Sequence, residues 1–199
     1  DPVSELAVGE QLFEEMELGG TVNFIAFRQA VAGYNRIKEK NKPILTLIDF
    51  SKPSTEKRFF VFDMEKKKLL YSSVVAHGRN SGENYATSFS NQYGSYKSSL
   101  GFYLTENTYQ GGNGYSLILN GLEKGINDKA KARSIVVHGA PYANPSVAAS
   151  GRLGRSLGCP ALPTKLARPI INTIKDGSVM FIYANNPHYL AQSNILHKN

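Results

Sequence analysis

The stretch GRLGRSLGCPALP, residues 151–163, holds the chain's only cysteine, Cys159. Directly before it stands a Gly-x-Ser-x-Gly pentapeptide, Gly154-Arg155-Ser156-Leu157-Gly158. Two nucleophiles are therefore offered side by side, and choosing between them also chooses a fold. A serine elbow needs a buried strand leading in, a helix leading out, and an alternating α/β sheet around it. Here NPSVAASGRL leads in, polar and rich in small residues. Cys-Pro-Ala-Leu-Pro leads out, and Pro160 and Pro163 oppose an immediate helix. The elbow reading fails on both sides.

The rest of the chain agrees. Residues 5–18, ELAVGEQLFEEMEL, read as a helix interrupted by Gly9, with Leu12, Met16 and Leu18 on its apolar side. A second helix follows in TVNFIAFRQAVAGYNRIKEK, with Thr21 as N-cap and Phe24, Phe27, Val31, Tyr34 and Ile37 forming a core stripe. Pro43 ends it. Beyond residue 44 come short β-rich runs, among them ILTLIDFS, RFFVFDM, YSLILNGL, SIVVHGA and GSVMFIYA, separated by Gly, Asn, Ser and Pro. One late helix is expected in RPIINTIK, residues 168–175, with Pro169 near its first turn. The fold class is mostly β (α+β): an N-terminal helical segment, residues 1–43, packed on a β-rich domain over 44–199.

Composition narrows the function. The 199 residues, 41% hydrophobic, suit one sizeable core. No apolar run reaches the roughly 18 residues of a membrane span. One cysteine excludes an intramolecular disulfide and a multi-cysteine zinc site. The +7 charge suits an anionic polymer, yet no nucleic-acid signature accompanies it. The chain opens Asp1-Pro2-Val3 without Met, so a missing signal peptide does not argue for the cytoplasm.

A thiol attacks as its thiolate, so Cys159 needs a base or a cation beside it. Of four histidines, His188 and His197 fall in the terminal NNPHYLAQSNILHKN and read as solvated. His77 and His138 each end an apolar run and enter a Gly-containing loop, where a rigid strand can hold a reachable group. The loop after His138 leads straight to Cys159. Gly158 permits close backbone approach, and Pro160 has no N–H, so an oxyanion hole would use Gly158 and Cys159 N–H groups or earlier ones. Ser156 becomes a supporting hydrogen bonder, and Arg152 and Arg155 are candidates for substrate carboxylates.

The run from Val136 to Pro163 resembles the L,D-transpeptidase catalytic domain, the YkuD-like family, in its murein catalytic-domain branch. The family's pattern is a His-Gly, a spacer of fixed range, then Ser/Thr-His-Gly-Cys; here 17 residues separate His138 from Ser156-Leu157-Gly158-Cys159. SSLGFYLT and GLEKGIN support it. Leu157 stands where the family has a second His, and Pro160-Ala161 replace the usual residues after the cysteine. The resemblance implies a β-rich domain with its cleft under a flap. It implies Cys159 as nucleophile, His138 as base and Gly139 as the group orienting the imidazole. Ser156, Arg155, Arg152, Tyr142 and His77 are the expected substrate contacts. The implied reaction is acyl transfer from a peptidoglycan tetrapeptide stem, with loss of D-Ala, to an amine. Water as acceptor would make a carboxypeptidase, and a non-catalytic wall-binding module is the remote alternative. The implied location is periplasmic or extracytoplasmic, the thiol a carbapenem target, and no metal or organic cofactor is called for.

Overall fold

The computed structural model describes residues 2–197, with side chains from Ala7 onward. Its strands are β1 (Ile44–Asp49), β2 (Phe59–Asp63), β3 (Lys68–Ser73), β4 (Gly101–Gly111), β5 (Gly114–Gly121), β6 (Val136–Gly139), β7 (Ala161–Leu162) and β8 (Val179–Tyr183). They form one sheet in the order β3-β2-β1-β8-β4-β5-β6-β7. The helices are α1 (Pro2–Glu15), α2 (Phe24–Arg36), α3 (Thr164–Ile174), α4 (Pro187–Gln192) and α5 (Asn194–His197).

The two most continuous apolar runs take the middle of the sheet. β1 and β8 are buried along their whole lengths and pair in parallel, Leu45 opposite Val179 and Asp49 opposite Tyr183. A strand covered on both faces has no solvent side to give it alternation. The other edge of β8 pairs antiparallel with β4. Helix α2 packs Phe27 on Phe62 of β2, ring centroids 5.1 Å apart. Helix α3 buries Ile170, Ile171 and Ile174.

The sheet then curls back on itself. Past the end of β3, Ala76 N–H donates to the Ala161 carbonyl at 2.9 Å, and Ala161 N–H returns a bond at 3.4 Å. Ser156 N–H donates to the His77 carbonyl and Arg79 N–H to the Ser156 carbonyl. The two edges of the sheet meet along this seam, giving a near-barrel.

Three sequence expectations change. Gly9 does not interrupt α1; it sits against Arg28 of α2, where a Cβ would meet Arg28 Cγ at 3.4 Å. Thr21 is not the N-cap of α2, because its N–H is turned back to Leu18; Asn23 Oδ1 caps the Ile25 and Ala26 N–H groups instead. The late helix starts at Thr164, which places Pro169 inside it. A remote side chain makes that start possible: Asn144 Oδ1 accepts the Thr164 N–H at 2.9 Å. The terminal segment read as a solvated tail is helical, and Tyr189 and Ser193 hydroxyls anchor it on buried Glu123.

Under the seam lies a fully buried cation. Arg58 donates to the Val75 carbonyl and, through Nη2, to His77 Nδ1 at 2.8 Å; its guanidinium lies 4.8 Å over the Phe50 ring. An arginine only donates, so Nδ1 of His77 carries the lone pair and Nε2–H donates to the Gly82 and Glu83 carbonyls. His77 is 1% exposed with both nitrogens engaged inside the protein. It is a support for the 77–83 loop, and the expectation that it contacts substrate is corrected accordingly.

Two predictions follow from this packing. Gly33 lies on the Phe102 ring, which stacks on Phe181 at 4.2 Å and has no room to retreat. Gly33→Ala should cost about 1–3 kcal/mol by overpacking, read as a lower urea midpoint at unchanged m-value; an unchanged midpoint would contradict the packing described. Burial, then the Arg58 charge, push the His77 pKa from 6.5 down to about 4. The unfolded chain binds a proton between those values that the native state refuses, so stability falls as pH drops from 6.5 to 4. The loss should reach about 3 kcal/mol and shrink in a His77→Gln variant; identical slopes in the two proteins would sink the assignment.

Candidate active site

The seam determines where the reactive groups lie. β6 and β7 pair in parallel, with His138 opposite Ala161. Cys159 leads into β7 and comes alongside the preceding residues of β6. Its Sγ accepts the Val136 N–H at 3.4 Å and lies 3.5 Å from the Ser134 carbonyl oxygen. His138 and Cys159 are thus neighbours on one strand pair, with no hydrogen bond joining thiol and imidazole.

His138 Nδ1 is 2.9 Å from the Gly139 carbonyl oxygen. A carbonyl only accepts, so Nδ1 carries the proton and Nε2 keeps its lone pair. Burial lowers the imidazole pKa below its ordinary range, opposed by that bond. For Cys159, burial raises the thiol pKa, partly offset by the Val136 N–H and the Arg133 charge. Thiol and imidazole are therefore both neutral near pH 7.

The turn before Cys159 is tied by Ser156. Its hydroxyl donates to the Cys159 carbonyl at 2.6 Å and accepts the Gly158 N–H at 3.0 Å. This answers the serine question locally, since the hydroxyl proton is committed to a carbonyl. It also corrects the oxyanion expectation for Gly158, whose N–H is already used. The Cys159 N–H makes no hydrogen bond to any described residue. Gly158 has φ +124, and a Cβ there would meet Ile135 Cδ1 at 2.9 Å and the Lys97 carbonyl oxygen at 3.0 Å. The site needs glycine at this position for both reasons.

The two arginines are engaged within the chain. Arg152 pairs with Glu83 at 3.0 Å and Arg155 with the same carboxylate at 3.3 Å, also reaching the Arg79 carbonyl at 2.9 Å. They lace loop 79–83 to loop 152–155. Tyr142 is close to Cys159: burial and then the Cys159 charge push its phenol up to about 12, and its hydroxyl bonds to no described residue. Leu157 is 55% exposed on the rim.

A cleft of about 260 Å³ is lined by Tyr109, Ile118, Lys131, Ser134, Ile135 and Val136, whose N–H bonds the Cys159 sulfur. Tyr109, Ser116 and His138 lie in one register row across β4, β5 and β6, so they share a face of the sheet. Lys131 is held at the cleft by Glu106 at 2.8 Å. Sequence reasoning missed Tyr109, Ile118 and Arg133; Arg133 sat in the basic run KAKAR, where it reads as surface charge. Among the described residues no cluster of His, Cys, Asp and Glu could hold a metal, and no helix is long and apolar enough to cross a membrane.

Comparison with known proteins bears on this arrangement. No curated protein matches the chain. An L,D-transpeptidase from Mycobacterium smegmatis is 15% identical with a TM-score of 0.44, the match covering 71% of this chain and 59% of that one. An L,D-transpeptidase in complex with imipenem is 14% identical with a TM-score of 0.44, over 72% and 60%. An L,D-transpeptidase from Stackebrandtia nassauensis is 12% identical with a TM-score of 0.43, over 92% and 79%. The chain thus spans about three-fifths of the first two structures' length. The model of the L,D-transpeptidase catalytic domain matches residues 19–183, most of the chain from the turn before α2 to the end of β8. On that match, the chain belongs to the L,D-transpeptidase catalytic domain family.

Proposed function

We propose that the protein is a cysteine-dependent peptidoglycan L,D-transpeptidase. The observation that carries this reading is that Cys159, two residues before β7, is bonded through Sγ to Val136 of β6, the strand that carries His138, whose tautomer is set by Gly139. Cys159 Sγ attacks the carbonyl of the third stem residue while His138 Nε2 takes the thiol proton. The C–N bond to the terminal D-Ala breaks, and the same nitrogen of His138 returns that proton to the leaving amine. The thioester then passes to an amine of a second stem, which regenerates the thiol and gives a cross-link between third residues.

Each remaining part has a role consistent with its geometry. The Cys159 N–H and the Tyr142 hydroxyl are the donors left for the oxyanion, since Gly158 N–H is engaged by Ser156. Ser156 shapes the turn that presents the sulfur. Arg152, Arg155 and Glu83 brace that turn from outside. Leu157, exposed beside the nucleophile, borders the path of the acceptor. The basic charge suits an anionic wall polymer in an extracytoplasmic setting. Residues 1–43 are proposed to serve the catalytic domain as packing, given the burial of Phe27 and Val31.

Purified disaccharide-tetrapeptide tests the activity by mass spectrometry of products. A dimer lacking one D-Ala is expected, and Cys159→Ala should abolish it with an unchanged circular dichroism spectrum. Tripeptide alone would mean water is the acceptor, and no change at all would leave a binding module. Activity that survives Cys159→Ala but not Ser156→Ala would overturn the assignment of the nucleophile. Imipenem should add its mass to the wild-type protein and not to Cys159→Ala. His138 must be unprotonated to accept the thiol proton, and its pKa is lowered. The acid limb of kcat/KM should therefore fall below pH 6.5, the ordinary value; a limb at higher pH would contradict a buried neutral base.

A further inference from the structure

Arg133 stands just before β6 and spends its guanidinium on one segment. Nη1 donates to the Ser90 carbonyl at 3.0 Å and to Ser99 Oγ at 2.7 Å. Nη2 donates to Ser95 Oγ at 3.1 Å and to the Lys97 carbonyl at 2.8 Å. All these acceptors are neutral. No carboxylate among the described residues lies within ion-pair distance of Arg133. A part-buried cation without a counter-charge is costly, and a positive charge left over acts on whatever ionises beside it.

What lies beside it is the nucleophile turn. A Cβ built on Gly158 would come within 3.5 Å of Arg133 Nη2 as well as 3.0 Å of the Lys97 carbonyl oxygen. The far side of segment 90–99 is pinned to the seam, since Ser98 Oγ accepts the Gly78 N–H at 3.0 Å and Asn80 N–H donates to the Tyr96 carbonyl at 3.1 Å. The segment is therefore clamped between Arg133 and the 78–81 loop, directly against Gly158. Other ionisable groups lie around this corner. Tyr142 feels the Cys159 charge, Tyr103 of β4 acts on Arg133, and Lys97 belongs to the clamped segment itself. Lys131 is taken up by Glu106.

We propose that Arg133 is a positioning residue for the nucleophile: its fork holds segment 90–99 against the Gly158–Cys159 turn, and its unpaired charge favours the thiolate of Cys159. This rests on Cys159 being the nucleophile. Burial alone would hold the sulfur as a thiol; the Arg133 charge opposes that, and the thiolate in turn favours the charged guanidinium. A lysine at this position would keep the charge but could not satisfy four acceptors spread over a planar fork.

The test uses the folded chain and the rate of Cys159 alkylation by iodoacetamide against pH, followed by intact mass, beside amide hydrogen exchange of residues 90–99. Arg133→Gln should move the alkylation inflection up by roughly one pH unit, about tenfold slower modification below it, and raise exchange in 90–99 by about tenfold. Arg133→Lys should restore the inflection and leave the exchange raised. An inflection that stays put in Arg133→Gln overturns the electrostatic role, and unchanged exchange overturns the clamp. Exchange in β1 and β8 at the wild-type rate certifies the fold. If Arg133→Gln does not fold, Arg133→Lys decides: raised exchange at an unmoved inflection supports the proposal, and wild-type exchange overturns it. Neither readout needs peptidoglycan. A wild-type Cys159 that resists alkylation at every pH would sink the nucleophile itself, whereas a reactive wild type with an indifferent Arg133→Gln sinks only this proposal.

Discussion

The seam between residues 76–79 and 156–161 is the constraint on which the rest of the site depends. It is a handful of backbone hydrogen bonds, each worth about 1 kcal/mol net, so it holds only because its two sides are independently stiff. One side is braced by the buried Arg58–His77 pair. The other is braced by Ser156, which ties its own turn to Gly158 and to Cys159. Closing the sheet along this line turns an open edge into a near-barrel. It also delivers Cys159 to β6, where His138 already stands.

Charge at the site is organised by burial. Arg152 and Arg155 meet an exposed carboxylate, Glu83, and such pairs contribute little beyond geometry. Arg58 and Arg133 are more deeply set and bond to carbonyls, hydroxyls and an imidazole instead. Each of these cations organises backbone that would otherwise be irregular loop, one under the seam and one over the nucleophile. The thiol and the imidazole are both kept neutral by their surroundings rather than held as an ion pair. Orientation then decides the chemistry: Gly139 selects the His138 tautomer, and the Val136 N–H fixes the sulfur.

Much of this was legible in the residues. The β-rich middle follows from runs such as ILTLID and VMFIY, whose continuous apolar character signals strands covered on both faces. The rejection of a serine elbow follows from the prolines after Cys159, and the family from the spacing of His138 and Cys159. Less was legible where distant groups intervene. The start of α3 depends on Asn144, the N-cap of α2 on a turn back to Leu18, and the folding of the terminal segment on buried Glu123. Arg152, Arg155 and His77 have the residue types that bind substrates, but each finds its partner within the chain.

By itself, then, the sequence determined the class of fold and the family, because hydrophobic periodicity, proline stereochemistry and motif spacing are properties of neighbours along a chain. Only the tertiary structure decided which polar groups are free. The Gly158 N–H is consumed by Ser156 while the Cys159 N–H and the Tyr142 hydroxyl are not, and Arg133 leaves the basic surface to clamp a segment against Gly158. Those assignments rest on hydrogen bonds and buried charges between residues far apart in the chain, and such partners exist only once the sheet has closed.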